Sequence, residues 1–489
     1  MKKLLLSLLG LIIMFVIVVS VKTAMFTSRQ EKVSAIKPVA VDKNVVALHL
    51  SEALKIPTIS HQDRSKMDTK QYLKFHKFLE EKFPLVHRKL EREVINDYSL
   101  LFKWQGSDST IKPVVFMAHI DVVPIEPGTE SKWTHDAFSG AIADGFIWGR
   151  GAVDMKSTLV AEMEAVEGLL KEGFQPKRTY YFALGHDEEI GGDEGGKAIA
   201  SHLKSKGVTF DFTIDEGMVI LDETLSPAKR PTAVIGIAEK GYMTLKLTAS
   251  GKGGHSSGPS LKTTLGTLAK AIISMEQNQM PASISGAAEK MFEYIGPEMP
   301  LLQKVLFANR WVFDSVIINQ LENIPSMNAM LRTTTAPTMI SGGVKENVLP
   351  TKAHVLINFR ILPGDKPEDI IAHAKKVIDD PAVEVSIYKD LSTTPSPVSS
   401  VEATGFKVMK RTVSEVFSDT LVAPGLLVAG TDTKYYVGIA ENSYRFMPVV
   451  LGQSDIGRIH GTDERISVDN YVKMIQFHTR LMQNISDMK

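Results

Sequence analysis

Apolar residues fall along this chain in three kinds of run. The first is continuous: from Leu4 to Val21 the residues are apolar apart from Ser7, Gly10 and Ser20, behind Lys2 and Lys3. That is close to the ~20 residues a helix needs to cross a bilayer. The second kind is short. Residues 113–118, 179–185 and 211–214 are brief β-branched and aromatic runs ending in polar residues, the pattern of buried strands. The third kind has helical period: within 156–171, Leu159, Met163, Val166, Leu169 and Leu170 recur on one side. Strand alternating with helix predicts an α/β layer on a mainly parallel mixed sheet. A second unit starts near Gly241, with strands over 242–249, 338–341, 353–361 and 383–388 and helices over 265–277 and 367–377. Four strands and two helices predict a small α+β, ferredoxin-like sandwich inserted into the first domain. Beyond residue 391 the helix–strand pattern returns, and it ends in an amphipathic helix over 471–485.

The predicted organisation is therefore a membrane anchor or signal sequence (1–26), a polar stalk (27–44), a first domain in two parts (45–240 and 392–489) and an insertion (241–391). No A-x-A-like cleavage site follows the apolar run, which favours a retained anchor over a removed signal peptide. Lys2 and Lys3 suggest an N-inside orientation with the folded part outside the cytoplasm, although Lys22, Arg29 and Lys32 reduce the charge asymmetry. One stretch of the insertion, Met291 to Ile318, carries more apolar side chains than a short amphipathic helix needs. It suits a pocket wall, a face toward the bilayer, an oligomer contact or a helical pair completing the core.

Charge and composition narrow the chemistry. Lys+Arg and Asp+Glu balance at 56 each, which leaves no basic footprint for nucleic acid and favours a small-molecule partner. There is no cysteine, so a metal must sit on His, Asp and Glu, a donor set that suits zinc, with manganese or cobalt as alternatives. Such residues lie where the predicted strands end. His119 and Asp121 follow the first, Glu188 and Glu189 the second, and Asp215 and Glu216 the third. Ligands of open α/β sheets bind at the carboxyl ends of strands, so these groups converge on one rim, with Asp154 and His460 as further members. Taken singly, each is an ordinary turn, solvated loop or helix cap; together they indicate a metal centre.

The segments Met117–Pro124, Gly149–Lys156, Gly185–Gly192 and Gly253–Ser257 resemble those of the dizinc metallopeptidases that include carboxypeptidase S, aminoacylase and glutamate carboxypeptidase. Glu239-Lys240-Gly241, Gly342–Pro350 and Arg458–Gly461 resemble the branch of carboxypeptidase S and the secreted N-fatty-acyl-amino acid synthase/hydrolase. The resemblance extends from about Val45 to the C-terminus. It implies two zinc ions per chain bridged by Asp154, with His119 and Asp215 completing one site and Glu189 and His460 the other. Asp121 would orient His119, Glu188 would be the general base, and the Asp154–Met155 peptide would be cis. His255, from the insertion acting as a lid and dimerisation domain, would stabilise the oxyanion. Arg360 and Asn347 would bind the carboxylate of the released amino acid, with Thr431 and Asp432 near the substrate.

The implied activity is hydrolysis of a peptide or N-acyl amide to release a free amino acid, a reaction also capable of running in reverse. A membrane-tethered, catalytically silent binding protein on the same fold is the alternative. It would lack Glu188 or a ligand, and neither is missing. A two-metal phosphoesterase would want additional cationic groups and a different motif order.

Overall fold

The computed structural model describes residues 1–31, 33 and 36–488; Lys32, Ser34 and Ala35 of the expected stalk lie outside them. The chain opens with helix α1 (Lys2–Met25), exposed along nearly its whole length. The first domain then supplies β1 (Val114–His119), α2 (Lys156–Lys171), β2 (Tyr180–Gly185), β3 (Phe210–Asp215) and β4 (Thr232–Glu239). All six residues of β1 are buried, as expected of a central strand covered on both faces. From β4 the chain enters the insertion through β5 (Gly241–Ser250) and α3 (Thr264–Gln277). Helices α4 (Gly286–Ile295), α5 (Leu301–Ala308) and α6 (Arg310–Leu321) and a short helix (Pro325–Leu331) follow, and then β6 (Thr334–Gly342), β7 (Lys352–Ile361), α7 (Pro367–Ile378) and β8 (Val383–Thr393). β9 (Leu421–Leu427), β10 (Ala440–Arg445) and α8 (Val468–Asp487) complete the first domain.

The large sheet runs Glu91–Ile95, Ser99–Trp104, β2, β1, β3, β10, β4, Ile220–Leu221, Val450–Leu451, with β9 beside β4. β2, β1, β3 and β10 are mutually parallel, whereas β4 opposes β10. This is the mainly parallel mixed sheet the sequence predicts. His119 and Asp215 are the last residues of β1 and β3, and Glu188 stands three residues beyond β2, so the strand ends deliver them to one rim. The second sheet is antiparallel in the order β6-β7-β5-β8. Leu245 opposes Ile357 and Leu247 opposes Val355, and this side packs with Leu268, Ala271, Ile370 and Ala374 of α3 and α7 in a core of its own. The intervening Thr244, Lys246 and Thr248 point to the other face, as a period of two requires.

Helices α4–α6, placed by sequence within the insertion, pack on the large sheet: Ala287, Met291, Phe292, Phe307 and Ile317 share a core with Val422 and Ala423 of β9. An apolar run reports that a helix is buried, not which sheet buries it. Several described residues of the stretch 27–44 are bonded to the first domain, although most of the others are exposed. Gln30 pairs with the edge of β9, donating to the Val422 carbonyl at 3.0 Å and accepting from its N–H at 2.9 Å. Lys410 donates to the Arg29 carbonyl at 2.6 Å and pairs with Glu31 at 3.1 Å, while Gln476 donates to the Val39 carbonyl at 2.8 Å.

Candidate active site

Asp154 lies between two imidazoles. His119 Nε2 is 3.0 Å from Asp154 Oδ1, and His460 Nε2 is 3.0 Å from Asp154 Oδ2. Each carboxylate oxygen thus faces a different histidine, and the Asp154–Met155 peptide is cis. Glu189 Oε2 lies 3.2 Å from His460 Nε2, on the same side as Asp154 Oδ2. On the other side, Glu216 Oε1 is 3.5 Å from His119 Nε2. Among the described residues two groups can hold a metal ion, one of His119, Asp154 and Glu189 and one of His119, Glu188 and Glu216.

Asp121 organises this region from behind. Its two carboxylate oxygens accept the N–H groups of Glu188 and Glu189, each at 3.2 Å, and Oδ1 lies 3.4 Å from His119 Nδ1. Burial pushes the Asp121 carboxyl up, but these contacts outweigh it and hold it below the usual range. Asp121 therefore fixes both the ring of His119, whose Nδ1 lies 2.9 Å from the Asp121 carbonyl, and, through its carboxylate, the turn that directs Glu188 and Glu189 apart.

The electrostatics call for a cation. Burial, then the neighbouring Glu216, pushes Glu188 well above the usual carboxylate range, and burial raises Asp215 to about 6. His460 is raised to about 10 by its contacts with Asp154 and then Glu189. Among the described residues, no Lys or Arg lies within ion-pair distance of Asp154, Glu188, Glu189, Asp215 or Glu216. Glu189 Oε1 and Asp215 Oδ2 are buried without a hydrogen-bond partner. Buried acceptors left unpaired cost too much to persist unless something neutralises them, and an N/O donor set of this kind fits a divalent first-row metal.

Asp215 lines the same small pocket as His119. Its Oδ1 accepts the N–H of Glu216 at 2.9 Å, and Glu216 stands beside His119. Glu188 and Asp432 line that pocket as well. Asp432 is held there by close approach: a Cβ on Gly196 would lie 2.1 Å from its Oδ2.

His255 is exposed, with Nδ1 2.8 Å from the Ser257 hydroxyl. It opposes Val348 in a two-residue ladder, and Ser256 donates to the Asn347 carbonyl at 3.1 Å. The structure thus brings His255 and Asn347 together. Arg360, on β7, stacks over Tyr242 at 5.1 Å. Among the described residues, neither His255 nor Arg360 is bonded to the acidic cluster.

Sequence reading also missed Arg150 and Glu464. Glu464 accepts the N–H groups of Val153 and Asp154 at 2.8 and 3.1 Å, and Arg150 bridges Glu464 at 2.7 Å to the His460 carbonyl at 3.0 Å. This fully buried pair ties the Asp154 loop to the His460 loop. Its signal was faint: Arg150 lies in a quoted segment, but nothing local to Glu464 marks it. Removing one partner of a buried pair costs about 3–5 kcal/mol, so in a chain of this size Arg150→Met is expected to lower the thermal midpoint by roughly 3–5 °C. An unchanged midpoint would mean that the pair contributes nothing to stability.

The sequence profile of peptidase family M20/M25/M40 matches residues 115–484. The chain belongs to this family. Among M20 relatives, a probable carboxypeptidase S-like protein of Dictyostelium discoideum is 39% identical over 98% of this chain and 92% of its own length. An N-fatty-acyl-amino acid synthase/hydrolase of Xenopus tropicalis is 39% identical over 89% of this chain and 85% of its own. In fold, the chain is similar to an M20 metallo-carboxypeptidase of Sulfolobus solfataricus, with a TM-score of 0.65 at 19% identity, covering 92% of this chain and all of that one. M20 membership makes this protein a metal-dependent hydrolase of amide or peptide bonds, and so turns the acidic cluster at the strand ends into its candidate active site.

Proposed function

We propose that the protein is a membrane-anchored, two-zinc amidohydrolase that releases an amino acid from an N-acyl amino acid carrying a long apolar acyl group. The observation that carries the two-metal reading is Asp154, with one oxygen toward each of two histidines. His119 and Asp154, with Glu216 or Asp215, would hold one ion; Asp154, Glu189 and His460 would hold the other. Bound there, two zinc ions lower the pKa of a water and polarise the amide carbonyl.

This chain's own groups move the protons and hold the substrate. Glu188 takes the proton of the attacking water and returns it to the departing nitrogen. Asp121 keeps Glu188 and Glu189 in register by accepting their two N–H groups, and stands against His119 Nδ1. His255 donates to the developing oxyanion, reaching the cluster when the insertion closes or from a second copy docked through the insertion. Arg360 receives the product carboxylate through a two-point hydrogen bond, with Asn347 beside it.

The acyl preference is supported by the N-fatty-acyl relatives and by a cavity of about 350 Å³ between α4–α6 and the large sheet. Leu221, Val234, Met291, Phe292, Leu306 and Ile317 are among its lining. Each CH₂ removed from water contributes up to about 0.8 kcal/mol, so two added methylenes are expected to raise kcat/KM by up to about 15-fold. The check is a series from acetyl to long-chain acyl amino acids run beside dipeptides. A flat or falling series with dipeptides preferred would leave a carboxypeptidase in its place.

A further inference from the structure

Helices α5 and α6 carry apolar residues on both faces, the outer ones interspersed with exposed Gln303, Ser315, Asn319 and Gln320. Inward, Phe307 and Ile317 are buried, and Phe307 stacks on Phe292 with ring centroids 4.5 Å apart. Outward, Leu301, Leu302, Trp311, Val312 and Val316 are exposed. A cluster of large exposed apolar side chains marks a surface that protein or lipid covers. What covers the outer face is indicated by the helix beside it.

α1 is the one helix among the described residues long and apolar enough to cross a membrane. Its C-terminal third lies along α5 and α6. The Asn309 side chain donates to the Val19 carbonyl at 3.3 Å and to Thr23 Oγ1 at 3.1 Å. The Trp311 ring lies 6.2 Å from that of Phe15, and Lys22 Nζ stands 5.3 Å from its centroid. At 1.5 Å per residue, Phe15 is about 10 Å along the helix axis from Lys22. If Lys22 marks the edge of the hydrocarbon, a side chain touching both residues sits at that edge, where Trp and Lys concentrate. α1 is therefore not a free tether. The Gln30 and Lys410 bonds beyond it hold the protein against this end.

We infer that α5 and α6 dip into the same leaflet as the C-terminal end of α1, the bilayer covering Leu301, Leu302, Trp311, Val312 and Val316. This rests on α1 spanning the membrane, and it adds a second, peripheral contact that fixes the orientation of the enzyme. The inner face of the same helices lines the apolar cavity, so a chain in the bilayer and a chain in the cavity lie on opposite sides of one helical layer.

The chain has no cysteine, which allows single labels without background. The test uses the full chain in phosphatidylcholine vesicles with a nitroxide on Leu302→Cys, Ile12→Cys or Val94→Cys. Val94 belongs to the strand at the edge of the large sheet away from β9 and α4. Expected is a severalfold excess of oxygen over nickel-chelate collisions at Leu302 and Ile12, and the reverse at Val94. Trp311 gives an independent reading, being 56% exposed while Trp104, Trp133 and Trp148 are at most 8% exposed. Brominated lipid should quench the full chain and no longer quench Trp311→Phe. A Leu302 label as wet as Val94 with Ile12 in lipid would overturn the inference and leave the anchor standing. Wet labels at both would remove both. Spin–spin broadening at Leu302 that fades on dilution with unlabelled protein would assign this face to a second copy and overturn it as well.

Discussion

Glu188→Gln is expected to lower kcat for amide hydrolysis by about 10²–10⁴-fold while bound zinc stays at the wild-type level. Glutamine keeps the shape of the side chain and loses the site that accepts a proton. The separation from metal binding follows from the turn at Glu188-Glu189. Asp121 holds both N–H groups, and the two carboxylates then diverge, Glu189 to His460 and Glu188 toward Glu216. The contrast is Glu189→Gln, whose zinc content should fall together with its activity. Glu188 also belongs to the group with His119 and Glu216, so the measurement discriminates. Zinc lost in proportion to activity would make Glu188 a ligand. Activity equal to wild type would end its role in catalysis.

The strand ends were legible because buried parallel strands are short, apolar throughout and terminated by polar residues; His119 and Asp215 mark the true ends of β1 and β3. Asp154 was legible only through its family motif, since nothing in local periodicity sets an acidic residue before α2 apart from a helix cap. The division of 241–391 was not legible. α4–α6 and the α3/α7 sandwich are equally apolar, and which sheet each packs on is decided by long-range contacts. The same holds for Gln30, whose pairing with Val422 spans 392 positions. Arg150 and Glu464, separated by 314 positions, form a pair that only folding reveals. That Glu216, next to Asp215, stands 3.5 Å from His119 is a matter of side-chain direction at a strand end, where neighbouring residues point opposite ways. The sequence offered both carboxylates and no local ground for choosing between them.

The central claim is that one carboxylate, Asp154, serves two metal ions, and counting metal in Asp154→Asn beside wild type tests it most directly. Asparagine preserves size but offers one carbonyl oxygen in place of two anionic ones, so both sites lose their shared ligand. His119 and His460 also lose the charge that pairs with each ring at 3.0 Å. Truncating the common ligand therefore affects two sites, whereas Glu189→Gln affects one. Elemental analysis of the dialysed full chain is expected to give about two zinc ions in wild type and near zero in Asp154→Asn, with amide hydrolysis lost alongside. One ion per chain in wild type, or two retained in Asp154→Asn, would contradict the account.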